Sequence, residues 1–153
     1  MKFMGRATVF LMTGLVACSA KPQEVPDLNT FAPTQAKDAD IWKGAERHLA
    51  YSVDLYRHFH ANPELSYKEV KTAARLAKEW REAGWEVTEG IGGTGVAAVF
   101  RNGPGPVLLV RVDMDALPVK EETGLSYAAT GDVMHACGHD LHMAAGAGLA
   151  KVL

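Results

Sequence analysis

The run Val107-Leu108-Leu109-Val110-Arg111-Val112 is the strongest constraint on how this chain can fold. Such a short, nearly unbroken apolar stretch suits a strand covered on both faces better than one with a wet side. Covering it takes a layer of helices in front and behind, so the run implies a layered α/β arrangement. Asn102-Gly103-Pro104-Gly105-Pro106 precedes it and predicts a hairpin turn from an earlier strand at Val96 to Phe100. A further strand is predicted from Trp85 to Glu89.

Upstream the period changes to that of helices. Trp42, Ala45, Leu49, Val53 and Tyr56 fall three or four apart, which predicts one helix from Ile41 to Ala61 with Asp40 as cap. Asn62-Pro63 stops it, because the residue before proline avoids the helical region. Ser66 with Glu69 spells a capping box for a second helix, whose apolar stripe is Val70, Ala73, Ala77 and Trp80. Gly84 is placed to close that helix. The expectation is an α/β three-layer sandwich with a mixed central sheet. Its site should lie beyond the carboxyl end of the central strand, at Asp113-Met114-Asp115.

The two ends carry different messages. Lys2 and Arg6 precede a short apolar run, Ala7 to Ala17, as in a secretory signal over residues 1–18. Leu15-Val16-Ala17-Cys18 is similar to a bacterial lipobox, with Cys18 as the lipidated residue; the alternative is a plain signal cut after Ala20. Residues 19–40 are polar, with Pro22, Pro26 and Pro33, and are expected to form a flexible linker. The folded part is then 41–153. Asp140 to Leu153 has a helical composition with no stop signal, so the chain is expected to be the front part of a longer protein. A net charge of −2 offers no basic footprint for nucleic acid. With Cys18 lipidated, Cys137 has no disulfide partner in an oxidising compartment, and metal ligation is one way to keep such a thiol safe.

The chemistry is concentrated in Met134-His135-Ala136-Cys137-Gly138-His139-Asp140-Leu141-His142. A thiol, three imidazoles and a carboxylate form the mixture that zinc and its transition-series neighbours prefer. Cys137 and His139 can face one metal from an extended loop, and His139 and His142 share a face if a helix has begun. The alternative is a Cys and His cluster at the mouth of a buried helix, with no metal. Asp113 and Asp115, two apart at the strand end, point the same way and can ligate a cation, orient a histidine or hold backbone amides. His135 is expected to pack, His58 to be partly exposed, Glu64 to serve a turn and helix start, and Glu121-Glu122 to form a solvated loop.

Three segments, taken in order, resemble the M20 family of metallopeptidases and amidohydrolases. They are Arg111 to Pro118, Glu121 to Leu125, and Met134 to His142, with His60-Ala61-Asn62-Pro63-Glu64-Leu65-Ser66 and Glu69 as an N-terminal signature. The resemblance is to the branch of N-acyl-amino-acid, hippurate and auxin-conjugate hydrolases. It implies a catalytic domain of the zinc-peptidase type holding two divalent ions (Zn, Mn, Co or Ni). It implies that Cys137 is the bridging thiolate, that His139 ligates one ion and that Asp115 supports the site from behind. Asp113 stands where other branches carry a ligand histidine; Asp140 is expected to orient a ligand imidazole, and His142 belongs to the same motif. The implied general-base glutamate pair lies downstream of Leu153, so this polypeptide alone is expected to be inactive. Implied substrates are N-acyl amino acids or peptide-like amides, cleaved by a metal-activated water, and the complete enzyme is expected to form a homodimer. Membrane contact is expected only through the lipid anchor, with an exported, periplasmic location. The non-enzymatic alternative is an envelope lipoprotein that binds metal or a partner.

Overall fold

The computed structural model of the chain describes residues 36–153, so Cys18, the signal and most of the linker lie outside the described residues. The elements run α1 (Ala36–Arg47), α2 (Leu49–Ala61), α3 (Val70–Glu82), β1 (Glu86–Ile91), β2 (Gly95–Val99) and α4 (His139–Val152). Helix α1 begins inside the stretch expected to be linker. Among the described residues no helix is long and apolar enough to cross a membrane.

The expected single helix from Ile41 to Ala61 is two helices that join at His48. Its expected apolar stripe is largely outward: Trp42, Leu49 and Val53 are exposed. The inward face of α2 lies two to three residues further along, at Tyr51, Leu55 and Phe59, because that face meets α4 and α3. Helix α2 ends at Ala61, ahead of Asn62-Pro63 as expected.

Helix α3 starts at Val70, and the Ser66–Glu69 capping box does not form. Glu69 is buried and its carboxylate accepts a hydrogen bond from Thr94 Oγ1 at 2.7 Å instead. The orphan amide of Thr72 in the first turn is met by Glu64 Oε2 at 2.7 Å, the helix-start role expected of Glu64. Ala73 and Ala77 face the core with Leu76, while Val70 is exposed. Gly84, at φ +89°, takes the left-handed conformation that closes the helix.

Strands β1 and β2 pair antiparallel, with Glu86 opposite Val99 and a bulge at Gly90. The hairpin therefore turns through Gly92 and Gly93, ahead of the expected Asn102–Pro106 turn. The third expected strand is not paired. Val107, Leu108 and Leu109 are 96%, 82% and 86% exposed, and no strand among the described residues bonds to them. Only its end is covered: Val112 and Met114 pack against the core. The apolar run asks for neighbours on both faces that residues 36–153 do not supply.

The core is Leu55 and Phe59 from α2, Leu76 from α3, and Met143 and Ala147 from α4. Small residues let α4 come close to its neighbours. A Cβ on Gly146 would stand 2.6 Å from Val112 Cγ2, and one on Gly148 would stand 2.7 Å from Ser52 Oγ. Trp80 and Trp85 donate their indole N–H groups to the carbonyls of Gly146 and Ala150, at 3.3 and 3.1 Å, which fastens α3 and its exit to α4. Phe59 is 1% exposed at the centre of this packing. Phe59→Ala is expected to cost about 3–5 kcal/mol, read as a lowered urea midpoint at unchanged slope.

Candidate metal centre

The site is assembled where three short segments meet. Ala116 donates its amide to Glu64 O at 2.8 Å, and Leu117 and Met134 exchange backbone bonds of 2.9 and 3.0 Å. These bonds pin residues 113–117 between the end of α2 and the loop that leads into α4. Gly138, at φ +83°, turns that loop into the helix. A side chain would strain this corner, which explains a glycine between Cys137 and His139.

Asp113 and Asp115 do point alike, and each meets a histidine of α4. Asp115 Oδ1 lies 3.0 Å from His139 Nδ1, and Asp115 O lies 2.8 Å from the same nitrogen. Asp113 Oδ2 lies 3.7 Å from His142 Nδ1 while its Oδ1 takes Arg111 Nη2 at 2.7 Å. Because α4 begins at His139, His139 and His142 share a face, with ring centroids 6.2 Å apart and planes 21° from parallel. Cys137 is an exposed free thiol.

These residues fit a metal in their chemistry. With Nδ1–H of His139 donating to Asp115, the tautomer is set so that Nε2 carries the lone pair, the arrangement typical of ligating histidines. A thiol two residues away supplies the softer donor. Among the described residues, however, no three His, Cys, Asp or Glu side chains gather as a complete cation site would require. What is present is part of a ligand set.

A second cluster lies directly behind it, and most of it was not foreseen. Glu121, expected in a solvated loop, is buried with its side chain fully covered. Its Oε1 is 2.9 Å from His60 Nε2 and also accepts from Thr123 Oγ1, while Oε2 accepts from the Ala129 amide at 2.6 Å. His60 Nδ1 is 2.6 Å from Asp140 Oδ2. Asp140 therefore orients an imidazole, and among the described residues that imidazole is His60. Tyr127 and Tyr56 cover the His60 ring at centroid distances of 5.3 and 5.6 Å. The sequence offered one faint signal: His60 stands four residues after Tyr56 and one after Phe59, at the edge of the face that is buried. Nothing local marked Glu121, whose partners are 61 residues away in His60 and 8 away in Ala129.

His135 is buried, as packing requires, yet neither ring nitrogen has a hydrogen-bond partner. Burial pushes its pKa down, so it is held neutral. His58 is exposed, in line with its sequence position.

Burial alone would lower the pKa of His60, but its bonds to Glu121 and Asp140 outweigh that and raise it. Burial alone would raise Glu121; the bonds from Thr123, His60 and the Ala129 amide overcome it and hold the carboxyl at about 2. Glu121 thus contributes stability that is complete above its ordinary 4.5 and is lost as pH falls toward 2. His60 contributes stability that is complete below its ordinary 6.5 and fades as pH rises through its raised native value. In urea titrations repeated across this range, Glu121→Gln is expected to lower stability at about pH 5–6 and to flatten the acid limb. A limb as steep as the native one would contradict the assignment.

Residues 109–153 match the family model described as peptidase family M20/M25/M40. YhaA of Bacillus subtilis is 47% identical over 103 residues, which are 66% of this chain and 26% of that protein. Hippurate hydrolase of Campylobacter jejuni is 46% identical over 97 residues, 61% of this chain and 25% of the relative. The crystal structure of the Bacillus subtilis YXEP protein, a dinuclear metal-binding peptidase of the M20 family, superposes with a TM-score of 0.60 at 37% identity. That match covers 65% of this chain and 29% of the other. The chain belongs to the M20 family of metal-dependent hydrolases and carries the α/β fold of its catalytic domain in incomplete form. It spans about a quarter of the length of the relatives it matches.

Proposed function

We propose that this chain forms part of a metal-dependent amidohydrolase, in which Cys137 and His139 are ligands and Asp115 fixes the ligand imidazole. The observation that supports this most directly is the Asp115–His139 contact, which engages Nδ1 twice and leaves Nε2 for a metal beside a free thiol. Bound divalent ions, of the Zn, Mn, Co or Ni type, would polarise the amide carbonyl and acidify a bound water. The chain's own residues do the rest of what they can reach. Asp115 holds the tautomer and the orientation of the His139 ring. Asp113 and His142 place a carboxylate and an exposed imidazole at the rim, where polar groups of a substrate can be met.

The proposed substrate class is supported by relatives named as hippurate hydrolase and N-acetyl-L-cysteine deacetylase, since hippurate and N-acetylcysteine are N-acylated amino acids. N-acyl amino acids are therefore the proposed substrates, and the general base is proposed to come from outside residues 36–153. Export through the 1–18 signal, with Cys18 lipidated and the protein held at the periplasmic membrane face, is part of the same proposal. Incorporation of labelled fatty acid by the native chain and its loss in Cys18→Ser would support the anchor.

Cobalt(II) titration tests the centre. In a Cys18→Ser background Cys137 is the sole thiol. Cobalt should then produce thiolate-to-metal absorption that Cys137→Ser abolishes, and Asp115→Asn should weaken binding by about 10–100-fold. Cobalt binding that is the same with and without the Cys137 thiol would refute the ligand assignment.

A further inference from the structure

The His60 cluster bears on the metal centre by a route of its own. Three elements end on one imidazole: α2 through His60 itself, the loop before α4 through Glu121, and α4 through Asp140. Carboxylates only accept, so both bonds are filled when both ring nitrogens carry hydrogen. Every other oxygen of the cluster is also used: Glu121 by Thr123 and Ala129, and Asp140 Oδ1 by the Leu141 amide at 2.8 Å. The ring is 6% exposed, so little water competes with these bonds.

Asp140 follows His139 in the chain, and both lie in the first turn of α4. Neighbouring residues on a helix point about 100° apart. His139 is fastened to Asp115 in one direction and Asp140 to His60 in the other. Two anchors in different directions fix both where α4 starts and how it is rotated. One anchor would leave the helix start free to turn about it.

We propose that His60 is a positioning residue for the candidate metal centre: by holding Asp140 it sets the rotation of the first turn of α4, and so the places of His139 and the Cys137-Gly138 corner. The proposal rests on the metal reading given above for what the corner holds. The positioning itself is a property of the metal-free chain.

Two substitutions separate the two bonds. The amide nitrogen of Asn sits at the depth of ring Nδ1, so His60→Asn keeps the bond to Asp140 and loses the one to Glu121. The amide nitrogen of Gln sits at the depth of Nε2, so His60→Gln does the reverse. Both are made in the Cys18→Ser chain and read three ways: urea stability, the alkylation rate of Cys137 without metal, and cobalt affinity from the thiolate absorption. Both variants are expected to lose stability. Only His60→Gln is expected to change the Cys137 alkylation rate and to weaken cobalt binding by about 10–100-fold, the range for supporting partners of a ligand. Losses that track stability equally in both variants, or native cobalt affinity and alkylation in His60→Gln, would overturn the proposal. If the parent chain binds no cobalt, the metal reading falls, and the alkylation contrast alone still decides the positioning. If His60→Gln does not fold, Asp140→Asn against Glu121→Gln repeats the contrast, with the alkylation change expected only in Asp140→Asn.

Discussion

The buried imidazole of His60, held between Glu121 and Asp140, is the constraint on which the site depends. Apolar contacts between α2 and α4 bring the helices together, but they are non-directional and would tolerate a small rotation of either. The bonds to His60 would not. One acceptor, Asp140, ties α2 to α4 at the end where the chemistry lies, and the other, Glu121, ties α2 to the loop before α4. The electrostatics are balanced by number: two carboxylates share one imidazole, and the surplus charge is met by the Thr123 hydroxyl and the Ala129 and Leu141 amides. Removing one partner from a buried group of this kind is strongly destabilising, because it leaves an uncompensated polar group in the interior.

The same pairing of carboxylate with imidazole occurs twice within a few residues and does different work each time. At His60 both nitrogens are engaged and the ring is sealed by Tyr56 and Tyr127. At His139 one nitrogen is engaged and the ring is half-buried. The first arrangement uses up all the ring's bonding capacity and can only hold structure. The second reserves one lone pair and aims it. Exposure and bond count, not residue type, separate the two roles.

The elements that were readable before the structure are those whose signal is local. Pro63 ended α2, Gly84 closed α3, and the 3.6-residue period found Ala73 and Ala77. The two-residue spacing of Asp113 and Asp115 rightly put both carboxylates on one side, toward α4. What failed depends on distant partners. The expected inward face of α2 was nearly opposite the real one, because α4 selects Leu55 and Phe59 over Leu49 and Val53. Glu69 was drawn to Thr94 rather than back to Ser66, since a buried carboxylate takes whichever donor the tertiary structure supplies. Glu121 beside Glu122 looks like any charged loop, and its burial is decided by His60 and by the Ala129 amide.

The apolar run from Val107 to Val110 is a conflict between local sequence and its surroundings that carries its own meaning. Four exposed apolar side chains in extended backbone offer unpaired amides and carbonyls along a hydrophobic edge, the arrangement most prone to pairing with any available strand. A sequence selected to stand in solvent would carry charge or proline there, as Asn102 to Pro106 does just before it. The run itself carries no charge, and Arg111 just after it is already engaged with Asp113. Its composition is that of a strand with neighbours on both sides, and its carboxyl end, where Val112 and Met114 enter the core, leads directly into Asp113 and Asp115. The carboxylates of the site thus follow a segment whose far end is apolar and exposed.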